Sequence, residues 1–145
     1  MIDEDKELVL RDLSVRLPYG VKVHWNGEHE LVKLYRISFY GKNVDEYIVN
    51  GLGQPEPGYE FDMHIEDIKP YLRPLSTMTS EEFKELLGVT CGVPYDYSEH
   101  HMVVQARIAD IRTKWFDKKM FDHRELIPKG LAFEAPEGMY KNETI

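Results

Sequence analysis

The stretch VKVHWNGEHELVKLYRISFY (21–40) constrains the fold more than any other part of the chain. VKVHW (21–25) alternates apolar and polar residues with the two-residue period of a half-buried strand. Asn26-Gly27 then supplies the residues that a type I′ turn demands, because both of its central positions need positive φ. The return run (30–40) places Leu31, Lys33, Tyr35, Ile37 and Phe39 on one side and Val32, Leu34, Arg36, Ser38 and Tyr40 on the other. Both sides are partly apolar, so this strand is expected to be central, or long and bent.

The same punctuation continues. Gly41-Lys42-Asn43 turns the chain into a third strand, DEYIVNG (45–51). The loop GLGQPEPG (51–58) leads to YEFDMHI (59–65), whose alternation sets Tyr59, Phe61, Met63 and Ile65 against Glu60, Asp62 and His64. Short antiparallel strands with tight turns predict a small, SH3-like β-barrel or curved sheet over 18–72. IEDIKPYL (65–72) reads as a single helical turn closing it, since Pro70 and Pro74 forbid a long helix.

Helices flank this block. LVLRDLSVRL (8–17) predicts a short helix that Pro18 ends. In STMTSEEFKELLG (76–88), Thr79 and Glu82 form a capping box, Phe83, Leu86 and Leu87 are the expected buried stripe, and Gly88 is the stop. VTCGVPYDY (89–97) reads as an irregular connection. A long helix is expected from Ser98 as N-cap, buried on a broad face by Met102, Ala106, Ala109 and Thr113 with Val104, Ile108, Ile111 and Trp115. The fold class is therefore α+β in one domain, 1–145. It comprises a β-rich part (18–72), a helical part (76–122) and an extended C-terminal strap (123–140). The strap is expected because Leu126, Ile127, Leu131, Phe133, Met139 and Tyr140 are too apolar for a free tail, while Pro128 and Pro136 pre-set an extended path.

Composition narrows the function classes. A net charge of −8 argues against nucleic acid as a partner. No apolar run approaches the ~20 residues that cross a bilayer, and residues 1–7 are acidic, so neither a membrane partner nor a signal peptide is expected. One cysteine, Cys91, excludes an internal disulfide, and a cytoplasmic location is the default. Cys91 itself reads as a small buried hydrophobe. Charge is unevenly placed: from Val44 to Ile68 there are seven acidic residues and no Lys or Arg, whereas 107–124 is mildly basic.

No catalytic constellation emerges. Glu99-His100-His101 with His64 and Glu66 invites a metal, but adjacent helical positions point about 100° apart, and no two histidines have i, i+4 spacing. Asp122-His123 lacks a nucleophile beside it, and GLGQPEPG matches no phosphate-binding loop. No catalytic residue, metal or cofactor is assigned. The chain reads as a non-enzymatic binding module offering an acidic β surface to a protein partner through Asp45, Glu46, Glu56, Glu60 and Asp62. The alternative is a small-ligand or metal-dependent enzyme using His64, His100, His101 or His123 in a pocket between sheet and helices.

Three stretches carry a resemblance: RLPYGVKV (16–23), IEDIKPYLRPLSTMTSEE (65–82) and KMFDHRELIPKGLAFEAPEGMY (119–140). In these the chain resembles a set of small uncharacterised proteins of gut bacteria and their phages or mobile elements. His123, Glu125 and Phe133 stand where Tyr, Gly and Leu are common in that set, which argues against a special role for His123. The resemblance implies a mobile-element origin and brings no activity and no functional residues.

Overall fold

A computed structural model describes residues 2–25, 29–39, 47–53, 60–92, 98 and 100–140. Helix α1 (Asp3–Arg16) begins earlier than its apolar pattern suggests, because Asp3, Glu4 and Asp5 suit the positive end of the helix dipole and Arg16 the negative end. A 3-10 turn (Leu17–Tyr19) ends on Gly20 at φ 81, a left-handed conformation that costs glycine little. Strands β1 (Lys22–Trp25), β2 (His29–Phe39), β3 (Tyr47–Gly53) and β4 (Glu60–His64) follow as an antiparallel series. The expected Asn26-Gly27 turn, Gly41-Lys42-Asn43 and most of the Gly/Pro-rich loop lie outside the described residues.

The segment expected to be a closing helical turn is instead a 3-10 turn (Ile65–Asp67) followed by strand β5 (Ile68–Leu72). Ile68, Pro70 and Leu72 are buried while Lys69 and Tyr71 are not, so a two-residue period overrides the proline signal. β5 pairs with β1, setting Val23 opposite Pro70 and His24 opposite Lys69. On its other side only Tyr71 and Leu72 pair, in parallel, with β6 (Phe133–Glu134). Pro70 therefore interrupts no ladder on that side. The sheet order is β4-β3-β2-β1-β5-β6. Its two edges are not hydrogen-bonded to each other among the described residues, so the α+β class stands but the sheet is open, not a closed barrel.

One sheet face forms the core. Val21, Val23, Val32, Leu34, Met63, Ile65, Ile68 and Leu72 pack with Val9 and Leu13 of α1 and with Met120, Leu126, Leu131 and Ala132. Burying each large side chain contributes about 1.5–3 kcal/mol. Helices α2 (Ser80–Cys91) and α3 (His101–Lys118) pack on each other over a second cluster of Leu86, Trp115 and Phe121, with Met78 and Phe116 at its margin. The Thr79–Glu82 capping box is present, with both reciprocal hydrogen bonds at 3.1 Å.

The apolar stripes expected on these helices are narrower than their sequences suggest. Of the α2 trio only Leu86 is buried; Phe83 and Leu87 are exposed, because among the described residues it is Leu86 that packs against Trp115 and Phe121. On α3, Val104 and Trp115 are buried but Met102 and Ala106 are exposed. The helix starts at His101, and the N-cap is His100, whose Nδ1 accepts a hydrogen bond from the Met102 amide, rather than Ser98. Cys91 is exposed, not buried.

Candidate functional site

The end of α3 organises the most polar part of the interior. Met120 adopts φ 64, where glycine is the usual residue. The amide of Met120 donates to Asp117 O at 3.2 Å and that of Phe121 to Phe116 O at 3.0 Å, the paired bonds of a Schellman turn. The strain is held by packing: Met120 and Phe121 are both buried, and Phe121 stacks on Trp115 at 5.7 Å. The turn reverses the chain, so that residues 121–124 run between α1 and α3. Glu125 then takes φ 60, again in the left-handed region that glycine usually fills.

This reversal assembles a buried charge network. Asp12 and Arg16 of α1 are fully buried, and their side chains pair at 2.9 Å. Arg16 Nη2 also donates to the Phe121 carbonyl at 2.6 Å. Arg124 Nη1 bridges Asp12 and Asp117, at 2.8 Å to each, and its Nη2 reaches Asp117 Oδ2 at 3.1 Å. His123 Nε2 lies 2.7 Å from Asp117 Oδ1, and its ring stacks on Phe116 at 5.3 Å. Arg16 Nη1 is buried with no hydrogen-bond partner among the described residues. Asp122 takes no part: its carboxylate accepts from the amides of Leu126 (2.8 Å) and Ile127 (2.9 Å) and shapes the next turn.

Burial alone would raise the Asp117 pKa. The hydrogen bonds from His123 and Arg124 and the charges of Arg16 and Arg124 outweigh it, holding the carboxyl at about 2 against an ordinary 3.8. A depressed folded-state pKa stabilises the fold above pH 3.8, by about 2 kcal/mol, and that contribution is lost as pH falls toward 2. A carboxyl-carbon NMR titration should accordingly give Asp117 a midpoint close to 2. A midpoint at the ordinary value would mean that the network does not hold the charge. Chemically the cluster ties α1, α3 and the tail together; every carboxylate oxygen that is placed here already accepts a bond.

A second feature is a cleft of about 570 Å3 where β5 ends, lined by Tyr19, Arg73, Thr79, Lys118, Glu137 and Tyr140 among others. Its strongest cation is neutralised. Arg73 makes two 2.7 Å bonds to Glu82 and lies 4.2 Å over the Phe121 ring, and those bonds outweigh burial to lower the Glu82 pKa.

The residues proposed from sequence are placed only in part. Asp45, Glu46 and Glu56 lie outside the described residues; Glu60 and Asp62 lie on β4, paired with Leu52 and Asn50. His64 is exposed at the end of β4. His100 and His101 sit at the start of α3 and His123 just past its end, separated by a helix of 18 residues, about 27 Å. The length of α3 therefore keeps His100 and His101 away from His123, and among the described residues no three His, Cys, Asp or Glu side chains are placed to hold a metal ion. Sequence reasoning missed Asp12, Arg16 and Asp117. The signal was present in α1, where Asp12 and Arg16 fall on the helical face that carries Val9 and Leu13.

No helix among the described residues is long and apolar enough to cross a membrane. Comparison with protein-family models gave no match, and neither did searches of curated proteins and of solved structures.

Proposed function

We propose that the chain is a non-enzymatic interaction module whose partner is a protein carrying an apolar ridge flanked by basic residues. One observation carries this reading: α2 leaves Phe83 53% and Leu87 44% exposed, and the start of α3 leaves Met102 67% and Val103 50% exposed. Phe83 and Leu87 are one helical turn apart on α2 and share a side. Large apolar side chains left in water gain free energy when a partner covers them. The chain's net charge of −8 disfavours a second copy as that partner and favours a basic surface. The acidic stretch containing Asp45, Glu46, Glu56, Glu60 and Asp62 adds to the same field. In this reading residues 123–140 strap the module's own core and are not a ligand for another protein; the mobile-element origin that the resemblance implies is an expectation of the same kind.

The test uses a Phe83→Ser/Met102→Ser double variant, two substitutions at exposed positions expected to leave the melting temperature within a few degrees of the parent. A protein captured by the parent from its producing cells is identified and purified, and its binding is measured against both chains. The variant should bind at least tenfold more weakly, and binding to the parent should weaken with added salt. Equal binding by parent and variant would sink the proposal. Light scattering should give a concentration-independent monomer; a dimer that the double variant dissolves would mean that a second copy covers the face.

A further inference from the structure

The cleft at the end of β5 is lined by two parts of the chain. One is the run 73–82 with residues 118–120 at the end of α3; the other is residues 135–140 of the tail, and Tyr19 adds its ring from the turn after α1. Both parts are pinned. The Arg73 amide donates to the Met120 carbonyl at 2.7 Å, and the Ala135 amide to the Leu72 carbonyl at 2.7 Å. Beyond Ala135, the Met139 amide donates to the Pro136 carbonyl at 3.1 Å, with Gly138 at φ 82, the positive value that a type II turn requires there. Lys22 Nζ donates to the Met139 carbonyl at 3.1 Å, and the Tyr140 hydroxyl to the Tyr71 carbonyl at 2.7 Å. The cleft is therefore largely formed before any ligand arrives, and its volume of about 570 Å3 falls among those of small-molecule sites.

Among the described residues five charged side chains line the cleft, and three of them are engaged within the fold. Arg73 and Glu82 hold each other, and Glu82 also accepts from the Thr79 amide at 3.1 Å, so the start of α2 is closed by its own cap. Lys119 Nζ lies 3.4 Å from Glu85 and 6.0 Å over the Trp115 ring. Lys118 and Glu137 differ: both are exposed, and neither side chain has a hydrogen bond or ion pair among the described residues. Lys118 ends α3, and Glu137 stands in the turn over 136–139. Open charges of opposite sign on the two parts of one cleft suit a ligand that carries both signs. Tyr19, 39% exposed, supplies apolar surface in the same cleft together with Pro74, Pro136 and Met139.

We propose that this cleft binds a small zwitterion with a large apolar side chain, an apolar α-amino acid or a dipeptide of such residues. The carboxylate of the ligand meets Lys118, its ammonium meets Glu137, and its side chain lies on Tyr19 and Met139. A zwitterion has no net charge, so the −8 of the chain neither attracts nor repels it as a whole. A simple anion would meet one open lysine against that field, and a simple cation would be opposed by Lys118 beside its site. Matching both signs selects the zwitterion over molecules that carry either charge alone. None of Phe83, Leu87, Met102 and Val103 lines the cleft, so the proposal does not depend on a protein partner at those side chains.

The test is an amide NMR titration of the full chain with L-phenylalanine and with leucyl-phenylalanine. Phenylpropionate, which lacks the ammonium, and phenethylamine, which lacks the carboxylate, are titrated beside them. At least one zwitterion should saturate with a dissociation constant of about 1 mM, as expected for a ligand of roughly a dozen non-hydrogen atoms. Its binding should move the amides of Tyr19, Lys118, Glu137 and Met139. Each single-charge analogue should bind about fivefold more weakly. Lys118→Gln should weaken the zwitterion and phenylpropionate by about the same factor and leave phenethylamine unchanged, whereas Glu137→Gln should weaken the zwitterion and phenethylamine alone. Thermal melting checks that each variant is folded, and Lys118→Ala or Glu137→Ala replaces one that is not. No saturable binding of either zwitterion, shifts confined to residues outside the cleft, analogues that bind as tightly, or variants that bind as the parent does would each overturn the proposal.

Discussion

Replacing Asp117 with alanine is expected to destabilise the fold by about 3–5 kcal/mol, the usual cost of removing one partner from a buried ionic group. Asp117 is the acceptor for both Arg124 and His123, and Arg16 Nη2 lies 3.7 Å from it. Without it, Asp12 alone faces two guanidinium groups, and Arg16 is already fully buried with one nitrogen unpartnered. The loss is large against a typical total stability of about 5–15 kcal/mol. Urea unfolding should therefore show a midpoint lowered by roughly 2 M with little change in slope. Asp110→Ala on the same helix is the matched control, because its pair with Lys114 is exposed and worth little. If the two variants unfold at the same urea concentration, the network contributes nothing beyond a surface ion pair.

The parts of this fold that could be read from the sequence are those whose cause is local. The Thr79–Glu82 capping box needs four consecutive residues and nothing else. The strands from Lys22 to His64 follow from alternation and intervening turn residues, and they pair with sequence neighbours. What failed was non-local. β5 pairs with β1 across more than forty residues, a partner no local pattern names, and Pro70 spoke against a strand that burial of Ile68 and Leu72 imposed. Periodicity told which residues share a side of α2, but not how much of that side would be covered, so Phe83 and Leu87 were expected inside. The charge network was hidden for another reason. Charged residues are ordinarily assigned to water, and the left-handed Met120 that brings Arg124 to Asp12 is not a glycine that would have marked the turn.

Removing residues 126–140 is expected to abolish cooperative unfolding altogether. The segment supplies Leu126, Leu131 and Ala132 to the main core and β6 to the sheet edge. Its last described residue closes the β1–β5 ladder: the Tyr140 hydroxyl accepts from the Lys22 amide at 3.0 Å and donates to the Tyr71 carbonyl at 2.7 Å. Losing two buried leucines alone costs about 4–10 kcal/mol, and the sheet face beneath them would be opened to water as well. The truncated chain should therefore keep strand and helix signals in the far ultraviolet, lose its near-ultraviolet spectrum and bind a hydrophobic dye. Leu126→Ala separates packing from chain length, since it keeps every residue of the tail and should cost about 2–5 kcal/mol. A truncated protein that melts as sharply as the full chain would show that the tail merely rests on a core that is complete without it.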